Sequence, residues 1–339
     1  MVDFPKSSDE ITPAWLSRVL NRAVSVCDVT RIGVDEGFTG GGLFRVTFGD
    51  GSVVAKLSPE DAGLRAAFAA ANAREVAFYQ LSAGLGLPVP ECHFGAFEAA
   101  KGASILLIED MGDLRAVPFV DGCAEADVAR VVDALARVHA AFWQSDAIAD
   151  VPVLALLDEF DFADMWNAYP DAVARLLPDV DLPDWFVALG DALTSDTRSV
   201  FAAGMAGPQT VVHRDAQVDN VLFGDDAVLL DWQFMGRGKG VHDLAFFLIS
   251  SVQPDVRRGC EDAMIARYHG ALGVEGYSLE ACRRDYLFGA IWRLFITAMA
   301  TTQLDNATDH KKAWRRADLE RLIAFCEDHG IGPETLTNS

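Results

Sequence analysis

The sequence predicts an α+β protein of two lobes: a small β-rich lobe over residues 1–110 and a larger, mainly helical lobe over 111–339. Three observations predict this. Short runs rich in Val, Phe and Thr, the composition of strands, crowd the first third of the chain. Past Met111-Gly112 the apolar residues recur at the helical period instead. One island, TVVHRDAQVDNVLFGDDAVLLDWQF (210–234), breaks that period with two apolar β runs around Gly224-Asp225-Asp226, a hairpin set among helices. A length of 339 residues suits about two domains.

The elements follow in order. Thr12 before Pro13 is an N-cap and first-turn pair, opening a helix to about Ala23. VCDVTRIGV, LFRVTF and SVVAKLS are strand candidates, the last two joined by Gly49-Asp50-Gly51. An Ala-rich helix from Ala62 to Ala83 ends at the Gly/Pro cluster GLGLPVP, and the strands ECHFGAF and ASILLIE follow. Helical periodicity then marks about 124–143, 155–177, 183–203, 254–273, 278–303 and 309–329. The most apolar helical stretch is IWRLFITAMA (291–300). Its Arg293 suits a core helix better than a membrane span, and no uncharged apolar run reaches the ~18 residues a span needs.

Composition narrows the function. The chain carries 28 Lys+Arg against 50 Asp+Glu, a formal charge of −22, with 51% apolar and 23% charged residues. That is a globular balance. Its acidity argues against nucleic acid and anionic membranes as partners, because phosphate would be repelled. MVDFPKSSDE has no basic start before an apolar run, so no signal peptide is expected. Cys27, Cys92, Cys123, Cys260, Cys282 and Cys326 form no C-x-x-C pair and have no His at ligand spacing. They fit reduced thiols of a cytoplasmic protein.

The hairpin island holds the chemistry. Asp215 and Asn220 precede its first strand and Asp231 follows its second. A hairpin returns the chain to its start, so two carboxylates and an amide are expected to gather on rigid backbone. Oxygen ligands of this kind suit Mg²⁺, which takes one or two protein oxygens and completes its shell with phosphate and water. The β-rich lobe offers a matching set. Gly37-Phe38-Thr39-Gly40-Gly41-Gly42 lies between strand candidates, where Gly40, Gly41 and Gly42 let backbone N–H groups approach phosphate. Lys56 in VVAKLS is placed to reach the same phosphates, and Glu75 in AREVAFY to hold its ammonium.

These pieces, in this order, resemble the protein-kinase-like superfamily and, within it, the small-molecule kinases of the aminoglycoside phosphotransferase and choline/ecdysteroid kinase branch. The resemblance rests on the Gly-rich turn, AK (55–56), REVAFY (74–79), LLIED (106–110), LARVHAAFW (135–143), HRDAQVDN (213–220), LLDWQ (229–233) and HDLAFF (242–247), about two-thirds of the chain. The H-x-D-x-x-x-x-N spacing with a D-W after a hairpin is its specific part. It implies a bilobal protein-kinase-like fold and a phosphotransferase moving the γ-phosphoryl of ATP, with Mg²⁺, to a hydroxyl of a small molecule. By position, Asp215 would orient that hydroxyl and take its proton. Asn220 and Asp231 would ligate Mg²⁺, Lys56 would contact the α- and β-phosphates, and Glu109 to Met111 would read the adenine edge through backbone groups. His213 would support the catalytic loop.

Departures qualify this. D-F-G is D-W-Q here, and GRGKGVHDLAFF after it is too short for a peptide-docking activation segment, which favours small molecules over proteins. A kinase-like nucleotide-binding regulator without transfer is the alternative. His139 and His242 read as structural, and Asp243 as an N-cap of LAFFLISS or a brace for the catalytic loop. The stretch 146–184, with ten acidic residues, Arg175 alone as base, and Phe160, Phe162, Trp166 and Tyr169, reads either as a solvated face over core aromatics or as a pocket for a cationic acceptor.

Overall fold

The structure, a computed structural model, describes residues 3–32, 41–49, 51–304 and 307–336. It divides into two compact units: Met1–Leu114 with Leu229–Met235, and Arg115–Val228 with Gly236–Ser339.

In the first unit, β1 (Asp28–Arg31), β2 (Gly42–Phe48), β3 (Gly51–Leu57), β4 (Cys92–Glu98) and β5 (Ala103–Glu109) form one antiparallel sheet in the order β1-β2-β3-β5-β4. The β2–β3 register runs from Gly42↔Leu57 to Phe48↔Gly51, and the turn opens at Gly49, whose φ of +56° suits glycine. Alternation along the strands puts Val46, Phe48, Val53, Ala55, Leu57, Ile105 and Leu107 in one core, with Trp15 and Leu16 of α1 (Pro13–Val19). Lys56, between Ala55 and Leu57, therefore faces the other side of the sheet. Thr12 caps α1, accepting from the Trp15 N–H at 3.2 Å. The helix stops at Val19 rather than near Ala23, because Asn21 enters the left-handed region at φ +49°. The helix expected over 62–83 is two, α2 (Ala62–Ala67) and α3 (Ala69–Ser82). They meet at Phe68, whose φ −100° and ψ 8° leave helical geometry. α3 packs on β4 and β5.

The second unit contains α4 (Glu125–Ala141), α5 (Ala155–Glu159), α6 (Phe162–Leu176), α7 (Asp184–Ser195), α8 (Thr197–Gly204), α9 (Val241–Ser251), α10 (Pro254–Leu272), α11 (Leu279–Tyr286), α12 (Gly289–Thr302) and α13 (Asp309–His329). Three helices expected to be continuous are split. Asp161 restarts the first, its carboxylate accepting from Ala163 and Asp164 N–H, and Asp196 restarts the second by accepting from Ser199 N–H. The third breaks at Leu287-Phe288. Two short pairs complete the unit: β6 (Thr210–Val212) with β9 (Gly236–Gly238), and the expected hairpin of β7 (Val221–Phe223) and β8 (Ala227–Leu229).

All of α9 and all but one residue of α12 are buried, as befits helices packed on every side. Arg293 on α12 is a core residue, as its sequence context suggested. Its Nε donates to Asp318 Oδ1 of α13 at 2.8 Å, and its guanidinium lies 4.3 Å from the Phe246 ring centre. Among the described residues no helix is long and apolar enough to cross a membrane. All six cysteines are free thiols, four of them buried.

Candidate active site

In the first unit, the buried stripe of α3 carries Ala71, Asn72, Glu75, Val76, Phe78 and Tyr79 at helical spacing. Glu75 lies on that stripe, so its carboxylate turns to the sheet and not to water. Lys56 Nζ donates to Glu75 Oε1 at 2.9 Å and to Asp231 Oδ1 at 3.1 Å. One ammonium thus faces two carboxylates, which hold its pKa above the ordinary lysine value although burial opposes them. Glu75 is lifted to about 7. Burial is the main cause, Lys56 opposes it, and the charge of Asp231 adds to it.

Asp231 is held in an uncommon backbone conformation, φ +58°, which aspartate tolerates better than most residues. The residues after it explain how. Trp232 is buried and stacks on Phe78 at 3.5 Å and 7°, and the Gln233 carbonyl accepts from Arg74 Nε at 2.8 Å. The D-W-Q triplet is therefore clamped onto α3, which also presents Glu75. The clamp through Arg74 and Trp232 was not foreseen from sequence, although the substitution of Trp for Phe marked the place.

Gly41 is required by a close approach: a Cβ there would come within 2.6 Å of the Leu57 carbonyl oxygen. Gly42 begins β2. Gly40 lies outside the described residues. Glu109 ends β5, its N–H donating to the Glu91 carbonyl at 2.8 Å, and the Met111 carbonyl accepts from Leu114 N–H. Between them, Asp110 is gripped by Arg45 through Nε at 2.7 Å and Nη2 at 3.1 Å. Burial would raise the Asp110 pKa, but the hydrogen bonds from Arg45 and its neighbours outweigh this and keep it below the usual carboxylate range. This ion pair, also unforeseen, fixes the segment after β5.

In the second unit, β6 ends in the His213-Arg214-Asp215 turn. Asp215 and Asn220 are brought together: Asn220 Nδ2 donates to the Asp215 carbonyl at 2.9 Å and to Asp215 Oδ2 at 3.0 Å. A 3-10 turn over Val218–Asn220 makes that reach short, and Val218 N–H donates to Ser251 Oγ of α9 at 2.9 Å. Arg214 sits at φ +66°, and its backbone N–H and that of His213 both donate to the Asp243 carboxylate, at 2.9 and 2.5 Å. Trp292 Nε1 donates to the Arg214 carbonyl at 3.2 Å. Asp243 is not the N-cap of its helix; the cap position is Gly240, and Asp243 acts instead as the brace of the loop. His139 is a satisfied core histidine, with Nε2 3.2 Å from Asp243 Oδ2 and Nδ1 2.9 Å from the Tyr268 hydroxyl. Burial alone would raise the Asp243 pKa, but His139 and the His213 N–H keep it below the ordinary value.

His242 is buried with both ring nitrogens unpartnered among the described residues. It lines a cavity of about 10 Å³, the lower limit for one water. Burial first, and then the charge of Lys239, lower its pKa from 6.5 to about 4. The unfolded chain takes up the proton first as pH falls, so folding loses stability by about 1.4 kcal/mol per pH unit from about 6.5 to 4. Glu75, raised to about 7, works in the opposite direction over the same range in both proteins, so in urea unfolding at pH 7, 6 and 5 it is the difference that reads His242: the wild type is expected to lose stability relative to His242→Gln as pH falls. Equal slopes would contradict it.

All ten acidic residues of 146–184 are exposed, while Phe162, Trp166 and Tyr169 are buried. The stretch is a solvated face over core aromatics. Asp158 pairs with Arg198, Asp179 with Arg316, and Asp161 caps α6.

Carboxylate and amide oxygens are the ligands a hard cation such as Mg²⁺ takes. In the first unit Asp231 is 40% exposed at its side chain with Oδ1 toward Lys56; in the second, Asn220 spends its amide nitrogen on Asp215 and not its amide oxygen. No cluster of three or more His, Cys, Asp or Glu suited to a metal occurs among the described residues.

A sequence model of the phosphotransferase enzyme family, APH, matches residues 17–281. An uncharacterized kinase-like protein of Caenorhabditis elegans is 22% identical over 216 residues, 58% of this chain and 56% of that protein. The chain thus matches little more than half the length of that relative. A candidate aminoglycoside phosphotransferase of Ralstonia eutropha superposes with a TM-score of 0.57 at 15% identity, over 92% of this chain and 95% of its own. A choline kinase of Streptococcus pneumoniae superposes with a TM-score of 0.55 at 14% identity, over 92% of this chain and 97% of its own. At such identities the likeness carries the fold, which is protein-kinase-like as the ordered motifs implied. The family match covers most of the chain and takes in Lys56, Glu75, Asp215, Asn220 and Asp231, so the chain belongs to the phosphotransferase enzyme family.

Proposed function

We propose that this protein is a small-molecule kinase that moves the γ-phosphoryl group of ATP, bound with Mg²⁺, to a hydroxyl of its acceptor. The observation that carries the reading is the Lys56 ammonium held between Glu75 and Asp231 in the first unit; the second unit separately braces the Asp215–Asn220 loop. One half-buried ammonium between two carboxylates leaves a negative charge unmatched, which a divalent cation bound with the nucleotide would balance.

The roles follow from the chemistry of each group. Lys56 binds phosphate oxygens, and Glu75 keeps its ammonium in place. Asp231 and the amide oxygen of Asn220 would hold Mg²⁺, which when bound neutralises charge on the transferring phosphoryl group. Asp215, anchored through Asn220, orients the acceptor hydroxyl and receives its proton. The new P–O bond forms to the acceptor oxygen as the bond to the β-phosphate oxygen breaks. Such transition states are loose, so orientation and electrostatics carry most of the rate. The backbone of Glu109 to Met111, steadied by Arg45–Asp110, supplies hydrogen-bonding groups for the adenine edge.

Lys56→Met removes the phosphate contact and leaves Glu75 and Asp231 without their shared cation. It is expected to lower kcat/KM by about 10²–10³-fold. Coupled-enzyme measurement of ADP release, dependent on an added hydroxyl compound, checks this. Release within threefold of wild type would remove Lys56 from the site.

A further inference from the structure

The second unit holds a half-buried cation that the reaction above does not use. Arg315 lies on α13, beyond residue 281 where the family match ends. Its side chain is 11% exposed. Its guanidinium lies 4.2 Å over the Trp314 ring, and Trp314 Nε1 donates to Asp219 Oδ2 at 2.8 Å. Asp219 belongs to the same short loop as Asp215 and Asn220. Arg315 is thus tied to the loop that presents the proton-accepting carboxylate, and Asp215 is among the charges that act on it.

Arg315 is only loosely paired. Among the described residues it makes no hydrogen bond, and its nearest carboxylate oxygen is Asp318 Oδ2 at 3.9 Å. Asp318 is already committed: both Nε and Nη2 of Arg293 donate to Oδ1, and Thr297 Oγ1 donates to Oδ2 at 3.0 Å. Two guanidinium groups therefore share the buried Asp318 carboxylate, whose hydrogen bonds go to Arg293 and Thr297, and Asp215 is the further negative charge acting on Arg315. Burial accordingly lowers the Arg315 pKa to about 10, against the pull of Asp318. The acidic residues of 146–184, which would serve a polycationic acceptor, all point to solvent.

We infer that Arg315 is a specificity residue for an acceptor that carries, besides its hydroxyl, an anionic oxygen group, a carboxylate or a phosphate ester. A planar guanidinium with its donors uncommitted is suited to a two-oxygen anion, and an approaching cation would meet it as a like charge. This assignment rests on the phosphotransferase reading and narrows its acceptor.

The test uses the full chain with Mg-ATP labelled at the γ-phosphate. A deproteinised metabolite extract is split on a strong anion-exchange resin into retained and unretained fractions, and each is offered as acceptor. Label is expected in products from the retained fraction. Arg315→Gln is expected to cut that labelling at least tenfold through KM, and Arg315→Lys to restore part of it. Splitting the retained fraction further, with glycerate and glycerol 3-phosphate as reference anions, separates carboxylate from phosphate ester. Label confined to the unretained fraction would overturn the assignment. So would an Arg315→Gln variant that lowers kcat with KM unchanged, because Arg315 would then be only a counter-charge for Asp215. A wild-type protein that shows no thermal shift with Mg-ATP would instead strike the phosphotransferase reading itself.

Discussion

Asp215→Asn is expected to keep Mg-ATP binding and to lose phosphoryl transfer by about 10²–10⁴-fold, the usual contribution of a positioned proton acceptor. The amide preserves shape and the hydrogen bond to the Asn220 side chain remains geometrically possible, so the loop should hold its form. What disappears is the negative charge proposed to orient the acceptor hydroxyl and receive its proton. Binding should survive because the group proposed to face phosphate, Lys56 with Glu75 and Asp231, belongs to the other unit. Calorimetry with a non-hydrolysable ATP analogue and ADP release on the same preparation separate the two effects. Turnover near that of wild type would refute the role of Asp215.

Asp243→Ala is expected to have the largest effect on stability, about 3–5 kcal/mol, a large share of the 5–15 kcal/mol typical of folded proteins. The carboxylate is 1% exposed and satisfies the backbone N–H groups of His213 and Arg214 together with His139. Alanine leaves two buried N–H donors unpaired, at about 1–3 kcal/mol each. It also releases Arg214 from a left-handed conformation that persists only where its surroundings over-determine it. Urea unfolding reads the first loss, and activity per folded molecule reads the second. A variant within about 1 kcal/mol of wild type would show that the loop is held by Trp292 and the Arg214 side-chain contacts alone.

Much of the local geometry of the candidate site was legible because residue types and spacing sufficed. Lys56 is flanked by Ala55 and Leu57, so strand alternation alone turns it away from the core they share. Asn220 lies five residues after Asp215, a distance one tight turn closes. Asp231 has Lys56 as its observed partner, a contact 175 residues apart that no local pattern encodes. Asp243 was ambiguous for a physical reason: a carboxylate in a first helical turn suits the helix dipole whether or not it also braces a loop. The split helices escaped notice because both halves of each present apolar residues to the same core, so their period runs on through the break at Asp161 or Asp196. β9 is Gly-Arg-Gly, which carries no strand signal. It pairs with β6 with little side-chain bulk, and a Cβ at Gly236 would meet the Arg214 guanidinium carbon at 2.2 Å. Arg315 could not be read at all, since its meaning depends on Asp318 already being taken by Arg293.

Phosphorus NMR of the wild-type protein with Mg-ATP and an acceptor-containing metabolite extract follows the group that is claimed to move. The account expects the γ-phosphate resonance to fade as ADP and a new phosphomonoester resonance grow together, with neither change in the Asp215→Asn variant. ATP that binds yet keeps all three resonances, or that yields inorganic phosphate alone, would contradict transfer to a hydroxyl and leave a nucleotide-binding protein without this chemistry.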